Sequence, residues 1–284
     1  MTAPFEITLP EGPETPVLVE VPHAGVYLDP ESLAFTIAPA RCIAKDADLY
    51  VDRLFQDAPS LGATLITARS SRYVIDLNRG PNDFDGDAVE GGVGRAAPRG
   101  LVWRVATDGS PVLLRKLPRA ELERRMETTY RPYHAALSSL LAHKVARFGS
   151  AILVCAHSMP EPPRKQGTLA FRSSTEPSAI ADIVPGTRGR TSAAGRLIDL
   201  VEAHARSCGY SVKHDDPYKG GFSTASYGAP ARGVHAIQIE IARRLYMDPD
   251  TLATDPQRFE NVRCFARTLI GRLAAESPSP LGAG

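Results

Sequence analysis

The sequence predicts an α/β fold with a mostly parallel or mixed central sheet and helices on both faces. Three observations lead to this prediction: short apolar runs typical of buried strands, helical periodicity between them, and alternation of the two along the chain. With 284 residues, of which 43% are hydrophobic, the chain can bury a sizeable core. Because no linker or internal repeat divides it, we predict one domain over residues 1–284, with a disordered tail from about residue 277.

The first third of the chain predicts the order strand, loop, helix, strand pair. The apolar run Val17–Val21 indicates a buried strand, and a helical spacing of apolar residues covers residues 43–55. Residues 65–68 and 73–77 each indicate a short strand. A Gly-, Asp- and Pro-rich stretch over residues 80–100 then predicts a long loop, and loops of that length usually serve a site.

The longest helical pattern spans residues 117–144. It begins beside Pro118, a residue favoured at helix starts, and we expect an interruption or kink at Pro132. The remaining predicted segments are, in order, a strand at 151–156, a polar Pro-rich loop at 160–189, a helix at 193–207, a strand at 234–241 and a helix at 256–275.

Composition excludes several classes of function. The 33 basic and 32 acidic residues nearly cancel, which argues against nucleic acid or a membrane surface as a partner and favours a small molecule. The absence of a signal peptide or spanning segment predicts a cytoplasmic protein. The four cysteines, at positions 42, 155, 208 and 264, form no Cys-x-x-Cys pair and predict reduced, packing thiols. The oligomeric state is not predicted.

Two histidines and a glutamate occupy comparable places in the predicted sheet. His23 and His157 each follow a buried strand, and ligands collect at the ends of central strands in open α/β sheets. Two imidazoles with one carboxylate are a recurring catalytic zinc set. Glu240 lies in a third apolar strand, where burial would raise its pKa towards that of a general base. A turn-rich loop just upstream can bring Tyr218 and Lys219 over the same site.

The acid that completes such a metal site is expected between residues 45 and 52. Asp46, Asp48 and Asp52 are the candidates. Asp46 and Asp48 cannot share one face of a helix, so at most one of the two is a direct ligand. The other would cap the helix or orient a histidine, and the residues alone leave this choice open.

Two arginines flank the predicted strand at 73–77. Asn78 and Arg79 suit the carboxylate of an acidic substrate, because a guanidinium binds a carboxylate through two parallel hydrogen bonds. Arg72 can polarise a scissile carbonyl. Structural ion pairs with Asp76 are the alternative explanation for both arginines.

Taken together, these residues resemble the N-formylglutamate amidohydrolase family over nearly the whole chain. The matching segments are Val21-Pro22-His23-Ala24-Gly25, Asp46-Ala47-Asp48, Ser71-Arg72-Tyr73-Val74-Ile75-Asp76-Leu77-Asn78-Arg79, Tyr130-Arg131-Pro132-Tyr133-His134, Ala156-His157-Ser158, Pro217-Tyr218-Lys219-Gly220-Gly221 and Gln238-Ile239-Glu240. The resemblance implies a phosphorylase/hydrolase-like fold of the zinc carboxypeptidase and aspartoacylase type. It also implies hydrolysis of N-formyl-L-glutamate to formate and glutamate, in amino-acid degradation such as histidine catabolism.

The resemblance also implies roles for individual residues, with one divalent metal, by analogy zinc. The implied roles are metal ligation by His23 and His157, general base catalysis by Glu240, carbonyl polarisation by Arg72, and carboxylate binding by Arg79 with Asn78. The related carboxypeptidases use His-x-x-Glu, but Val26 stands three residues after His23. We therefore expect Asp48 as the third ligand, with Asp46 as the second choice.

Two other functions stay open at this point. Residues 84–109 and 160–190 form loops that would shape selectivity, so the chain could be a deacylase of another N-acyl or N-formyl amino acid. A non-catalytic small-molecule binder on the same scaffold would require a missing ligand or base, whereas His23, His157 and Glu240 are all present.

Overall fold

The computed structural model describes residues 3–92, 98–160 and 180–276. Within these residues the strands are β1 (Phe5–Thr8), β2 (Val17–Val21), β3 (Thr64–Ala68), β4 (Ala151–Met159), β5 (Ile183–Gly186) and β6 (Val234–Ala242). They form a six-stranded sheet of order β1-β3-β2-β4-β6-β5. Neighbours among β3, β2, β4 and β6 pair in parallel, and the edge strands β1 and β5 pair antiparallel. The predicted mixed α/β sheet is confirmed.

Helices cover both faces of this sheet. The α-helices are α1 (Pro30–Leu33), α2 (Ala40–Asp46), α3 (Val51–Leu54), α4 (Arg119–Arg125), α5 (Arg131–Phe148), α6 (Gly195–Ser207), α7 (Phe222–Tyr227) and α8 (Pro256–Ala275). Alternate residues of a strand face opposite sides. Val17 and Val19 therefore pack with α3, α6 and α8, whereas Leu18 packs with α4 and α5. The central strands are mainly apolar because both their faces are covered.

Several predicted elements are confirmed, with adjusted ends. The long helical pattern is interrupted, as expected: a π-helical turn at Met126–Tyr130 separates α4 from α5, and Pro132 lies in the first turn of α5. Helices α6 and α8 and strand β6 coincide with their predictions to within two residues. Strand β4 continues to Met159, so His157 lies inside the strand rather than in a loop after it.

Two predictions about the first third of the chain are wrong. Residues 73–77 form turns instead of a strand. This mainly apolar run is buried in the core, as a central strand would be, but its backbone does not pair with the sheet. The helix predicted over residues 43–55 is broken into α2 and α3, with Tyr50 in the left-handed region at φ 69°. Asp48 lies in this break, so its side-chain direction is not set by a helix.

Strands β1 and β5 were not predicted. Each has four residues and lies at a sheet edge, and β5 contains Pro185 and Gly186, which depress strand propensity. Strand β5 falls within the loop predicted at 160–189, of which residues 161–179 lie outside the described part. The predicted tail at 277–284 lies outside it as well. In the described ranges, no helix is long and apolar enough to cross a membrane.

The cysteines are free thiols, as predicted. Cys42 and Cys155 are buried, whereas Cys208 and Cys264 are exposed. The predicted packing role therefore applies to the first pair.

Candidate active site

A cavity opens at the carboxyl ends of β2, β4 and β6, where ligands bind in open α/β sheets. His23 lies two residues after β2, and His157 and Glu240 are directly paired positions on β4 and β6. Paired residues of adjacent strands project from the same face of the sheet, so both side chains enter one space. The cavity has a volume of about 670 Å³, within the range of small-molecule sites.

All the candidate residues named from the sequence except Asp52 line this cavity. The set comprises His23, Asp46, Asp48, Arg72, Asn78, Arg79, His157, Tyr218, Lys219 and Glu240. These residues come from segments that lie far apart along the chain. Strand order and the turns at 73–80 bring them together.

His23, Asp48 and His157 form a buried cluster whose ligand atoms lie within 4.8 Å of one another. Asp48 Oδ2 lies 2.9 Å from His157 Nδ1 and 3.7 Å from His23 Nδ1. The backbone N–H of Asp48 donates to the His23 carbonyl at 2.9 Å, which fixes the break beside the histidine. Two imidazoles and a carboxylate suit a divalent metal of the zinc type, so the donor set fits the implied ion.

The charge of Asp48 is stabilised at this position. Burial alone would raise the pKa of its carboxyl group, but hydrogen bonds and charge interactions with His157 and His23 hold the pKa well below its usual range. Asp48 is therefore ionised at neutral pH, as a metal ligand must be.

Asp46 takes a different role from Asp48. Its Oδ2 accepts hydrogen bonds from the Tyr73 hydroxyl at 2.5 Å and the Thr107 backbone N–H at 3.0 Å, and the Thr107 hydroxyl donates to Oδ1. These contacts anchor the end of α2 to the turn at Tyr73 and to the segment at Thr107. The structure thus brings Asp48, rather than Asp46, to the histidines.

Asp76 orients His23 from below the cavity. Its buried Oδ1 lies 2.8 Å from His23 Nε2, while Oδ2 accepts from Arg72 Nη2 at 3.0 Å and Trp103 Nε1 at 2.9 Å. Burial would raise the pKa of Asp76, but the charges of His23 and Arg72 hold it well below its usual range. Because a carboxylate can only accept, the contact with Asp76 favours the tautomer with the proton on Nε2, while Nδ1 faces Asp48. Sequence reasoning considered Asp76 only as an ion-pair partner.

Asn78 contacts the other histidine. Its Nδ2 lies 3.2 Å from His157 Nε2, and its Oδ1 accepts the Ser223 backbone N–H at 3.0 Å. Gly221 packs against this amide so closely that an added Cβ would lie 2.3 Å from Asn78 Nδ2. Both polar atoms of the Asn78 side chain are therefore bonded within the protein.

Glu240 is 6% exposed and lies next to His157 on the sheet. Burial raises its pKa to about 7, against a smaller lowering by the charge of His157. Gln238 Nε2 donates to Glu240 Oε1 at 2.8 Å, and Gln238 Oε1 accepts the Gly221 N–H at 2.8 Å. Gln238 therefore fixes the position of the glutamate. The sequence offered no signal for this contact beyond a polar residue in an apolar strand.

The two arginines predicted from the sequence are held differently. Arg72 stacks over Trp103, 4.5 Å from the ring centre, and donates to the Asp46 carbonyl at 3.1 Å as well as to Asp76. Arg79 is about one-third exposed at its side chain, and its Nε donates to the Arg99 carbonyl at 3.2 Å. Arg72 belongs to the buried wall, whereas Arg79 lies towards the cavity mouth.

The fold and this site define a hydrolase of the α/β class with a candidate metal centre. A family model described as N-formylglutamate amidohydrolase matches residues 15–247. The chain belongs to the N-formylglutamate amidohydrolase family.

Individual relatives agree with this assignment. An N-formylglutamate deformylase of Pseudomonas aeruginosa is 34% identical over 264 residues, covering 92% of this chain and 93% of the relative. An N-formylglutamate deformylase of Pseudomonas putida is 34% identical over 238 residues, 82% of each chain. The crystal structure of an N-formylglutamate amidohydrolase from Ralstonia eutropha aligns with a TM-score of 0.85 at 33% identity, covering 96% of this chain and 98% of that one.

Proposed function

We propose that this chain hydrolyses N-formyl-L-glutamate to formate and L-glutamate, using one divalent metal, with zinc as the leading candidate. The observation that carries the proposal is the buried His23–Asp48–His157 cluster beside Glu240, in a chain of this family. The Pseudomonas relatives are named for deformylation of the same compound. The proposed role is amino-acid degradation, such as histidine catabolism.

Substrate binding is assigned to the outer wall of the cavity. Arg79 is the proposed partner of a substrate carboxylate, because its guanidinium borders the cavity and is partly exposed. Tyr218 and Lys219 border the same space and are proposed to close over the bound amino acid. Asn78 was expected to share the substrate carboxylate with Arg79. Since its Oδ1 is bonded to the Ser223 backbone and its Nδ2 faces His157, we assign it to the inner wall beside His157 instead.

Catalysis is assigned to the inner wall. A metal held by His23, Asp48 and His157 would supply Lewis-acid polarisation of water and of the formyl group. Glu240 accepts the proton of the attacking water, because burial places its pKa near neutrality. It then passes that proton to the leaving amine. Arg72, held in place by Asp76 and Trp103, offsets negative charge on the formyl oxygen.

The test is formate release from N-formyl-L-glutamate by purified protein, measured as isolated, after chelation and after zinc is restored. Activity that is lost on chelation and regained with zinc is the expected result. Formate release that is unaffected by complete metal removal would refute the metal-dependent mechanism.

Two further outcomes identify the alternatives. Release from other N-acyl or N-formyl amino acids, but not from N-formyl-L-glutamate, would show a deacylase of different selectivity. Binding without turnover of any such compound, by folded and zinc-loaded protein, would show a non-catalytic binder.

A further inference from the structure

Arg243 is a buried cation beside the candidate metal cluster that sequence reasoning did not single out. It begins the 3₁₀ turn Arg243–Leu245, three residues after Glu240 at the end of β6. Arg243 is 5% exposed, and it borders the cavity. Burying a guanidinium is costly unless its charge is compensated, so its partners show what it does.

Each nitrogen of the Arg243 guanidinium donates to a different segment of the protein. Nη2 donates to Asp48 Oδ1 at 3.1 Å, and Nε donates to Ser158 Oγ at 3.1 Å. Nη1 donates to the backbone carbonyl of Lys45. The side chain therefore joins the end of α2, the break that carries Asp48, and the end of β4. A planar group with donors on three nitrogens can make these contacts together, whereas a lysine ammonium cannot copy the arrangement.

Because of the contact with Arg243, the two carboxylate oxygens of Asp48 have different partners. Oδ1 accepts from Arg243, while Oδ2 faces His157 Nδ1 at 2.9 Å and His23 Nδ1 at 3.7 Å. A carboxylate without such a partner can rotate and can offer both oxygens to one cation, as carboxylates do at calcium sites. In catalytic zinc sites, three protein ligands leave one position for water or substrate.

We propose that Arg243 is a positioning residue that makes Asp48 a one-oxygen ligand and so keeps a metal position open for water. This inference rests on the proposed function, because it requires a metal at His23, Asp48 and His157. Arg243 acts through Asp48 and does not touch the substrate.

The test compares Arg243→Gln with the wild type in three measurements: zinc affinity by chelator competition, the absorption spectrum of the cobalt-substituted protein, and steady-state kinetics. Loss of a partner that orients a ligand typically costs about 10–100-fold in metal affinity or activity. We expect such a loss for Arg243→Gln. The absorption bands of its bound cobalt should be weaker, as they are when the cobalt has more than four ligands. Its kcat should be lower, with little change in KM.

A double-mutant cycle separates action through Asp48 from action on other groups. If Arg243 works through this carboxylate, Arg243→Gln should reduce zinc affinity in the wild type but cause no further loss in Asp48→Ala. Arg263→Gln is the matched control. This arginine also donates to a carboxylate, from its Nε to Asp57 Oδ2 at 2.9 Å, but neither residue lines the cavity. The control should retain the wild-type zinc affinity and cobalt spectrum.

Arg243→Lys keeps the proposal testable if the glutamine variant does not fold. It retains the charge, and we expect it to fold with an altered cobalt spectrum, because one ammonium cannot hold all three partners. A wild-type spectrum and zinc affinity in a folded Arg243 variant would overturn the inference and leave the proposed function intact. An increase in KM alone would assign Arg243 to substrate binding and also overturn it. If the wild type binds no metal, both the proposed metal centre and this inference are wrong.

Discussion

Replacing Glu240 by Gln removes the proposed proton acceptor and keeps the shape of the side chain. The hydrogen bond from Gln238 Nε2 to Glu240 Oε1, 2.8 Å long, can be retained because a glutamine oxygen also accepts. We therefore expect the variant to fold and to bind metal normally. A positioned general base contributes about 10²–10⁴-fold to the rate, so kcat should fall by that factor. The rise of kcat/KM with pH near 7 should also disappear.

Although Glu240→Gln should lower kcat, it should increase the stability of the metal-free protein. The size of this increase follows from the pKa of Glu240. Burial raises the pKa of Glu240 from 4.5 to about 7, so the folded protein holds this proton more tightly than the unfolded chain does. The wild type consequently loses stability as pH rises from about 4.5 to about 7. The rise in pKa corresponds to about 3 kcal/mol. Metal-free Glu240→Gln should therefore be more stable than metal-free wild type at pH 8, by up to about 3 kcal/mol.

Denaturant unfolding of both metal-free proteins at several pH values tests this prediction, and turnover of the zinc-loaded proteins tests the role of the base. The stability difference should vanish as pH falls below about 4.5, where Glu240 is protonated in both states. Glu260→Gln on α8 is the matched control, because that glutamate side chain is 56% exposed and does not line the cavity. Unchanged turnover in folded, zinc-loaded Glu240→Gln would refute the assignment of the base. A stability difference independent of pH would refute the burial argument.

Three further predictions concern ligation, binding and packing. Asp48→Asn should lower zinc affinity by at least about 10–100-fold, the loss that is typical when a residue that merely orients a metal ligand is removed. Asp46→Asn should retain zinc but lower the free energy of unfolding by about 1–3 kcal/mol. Equal zinc loss in both variants, measured by chelator competition, would contradict the choice of ligand. Arg79→Ala should raise KM for N-formyl-L-glutamate about 10–100-fold, while KM for uncharged N-formyl amino acids changes little. An unchanged KM for the dicarboxylate would exclude Arg79 from binding. Gly221→Ala should lower the unfolding free energy by about 1–3 kcal/mol and reduce kcat, because its Cβ would lie 2.3 Å from Asn78 Nδ2. Wild-type stability and turnover would show that the amide can move freely.

Much of the architecture could be predicted because it depends on local patterns. Strands β2, β4 and β6 are rich in apolar residues, and such segments indicate strands buried on both faces. The ends of these strands then indicated where His23, His157 and Glu240 would meet. The turns at 73–77 defeated the same reasoning, because burial of an apolar run does not reveal whether its backbone pairs with a sheet.

The sequence by itself determined the mixed α/β class, the resemblance to the family and the histidines and glutamate at the strand ends. Only the tertiary structure brings Asp48, rather than Asp46, beside both histidines. That arrangement depends on Tyr73 and Thr107, which bind Asp46, and on the break that places Asp48 beside both histidines. The roles of Asp76, Gln238 and Arg243 likewise depend on contacts between segments far apart in the chain. Hydrogen bonds of this kind leave no periodic trace in a sequence, because their geometry exists only once the sheet and its connecting turns have packed.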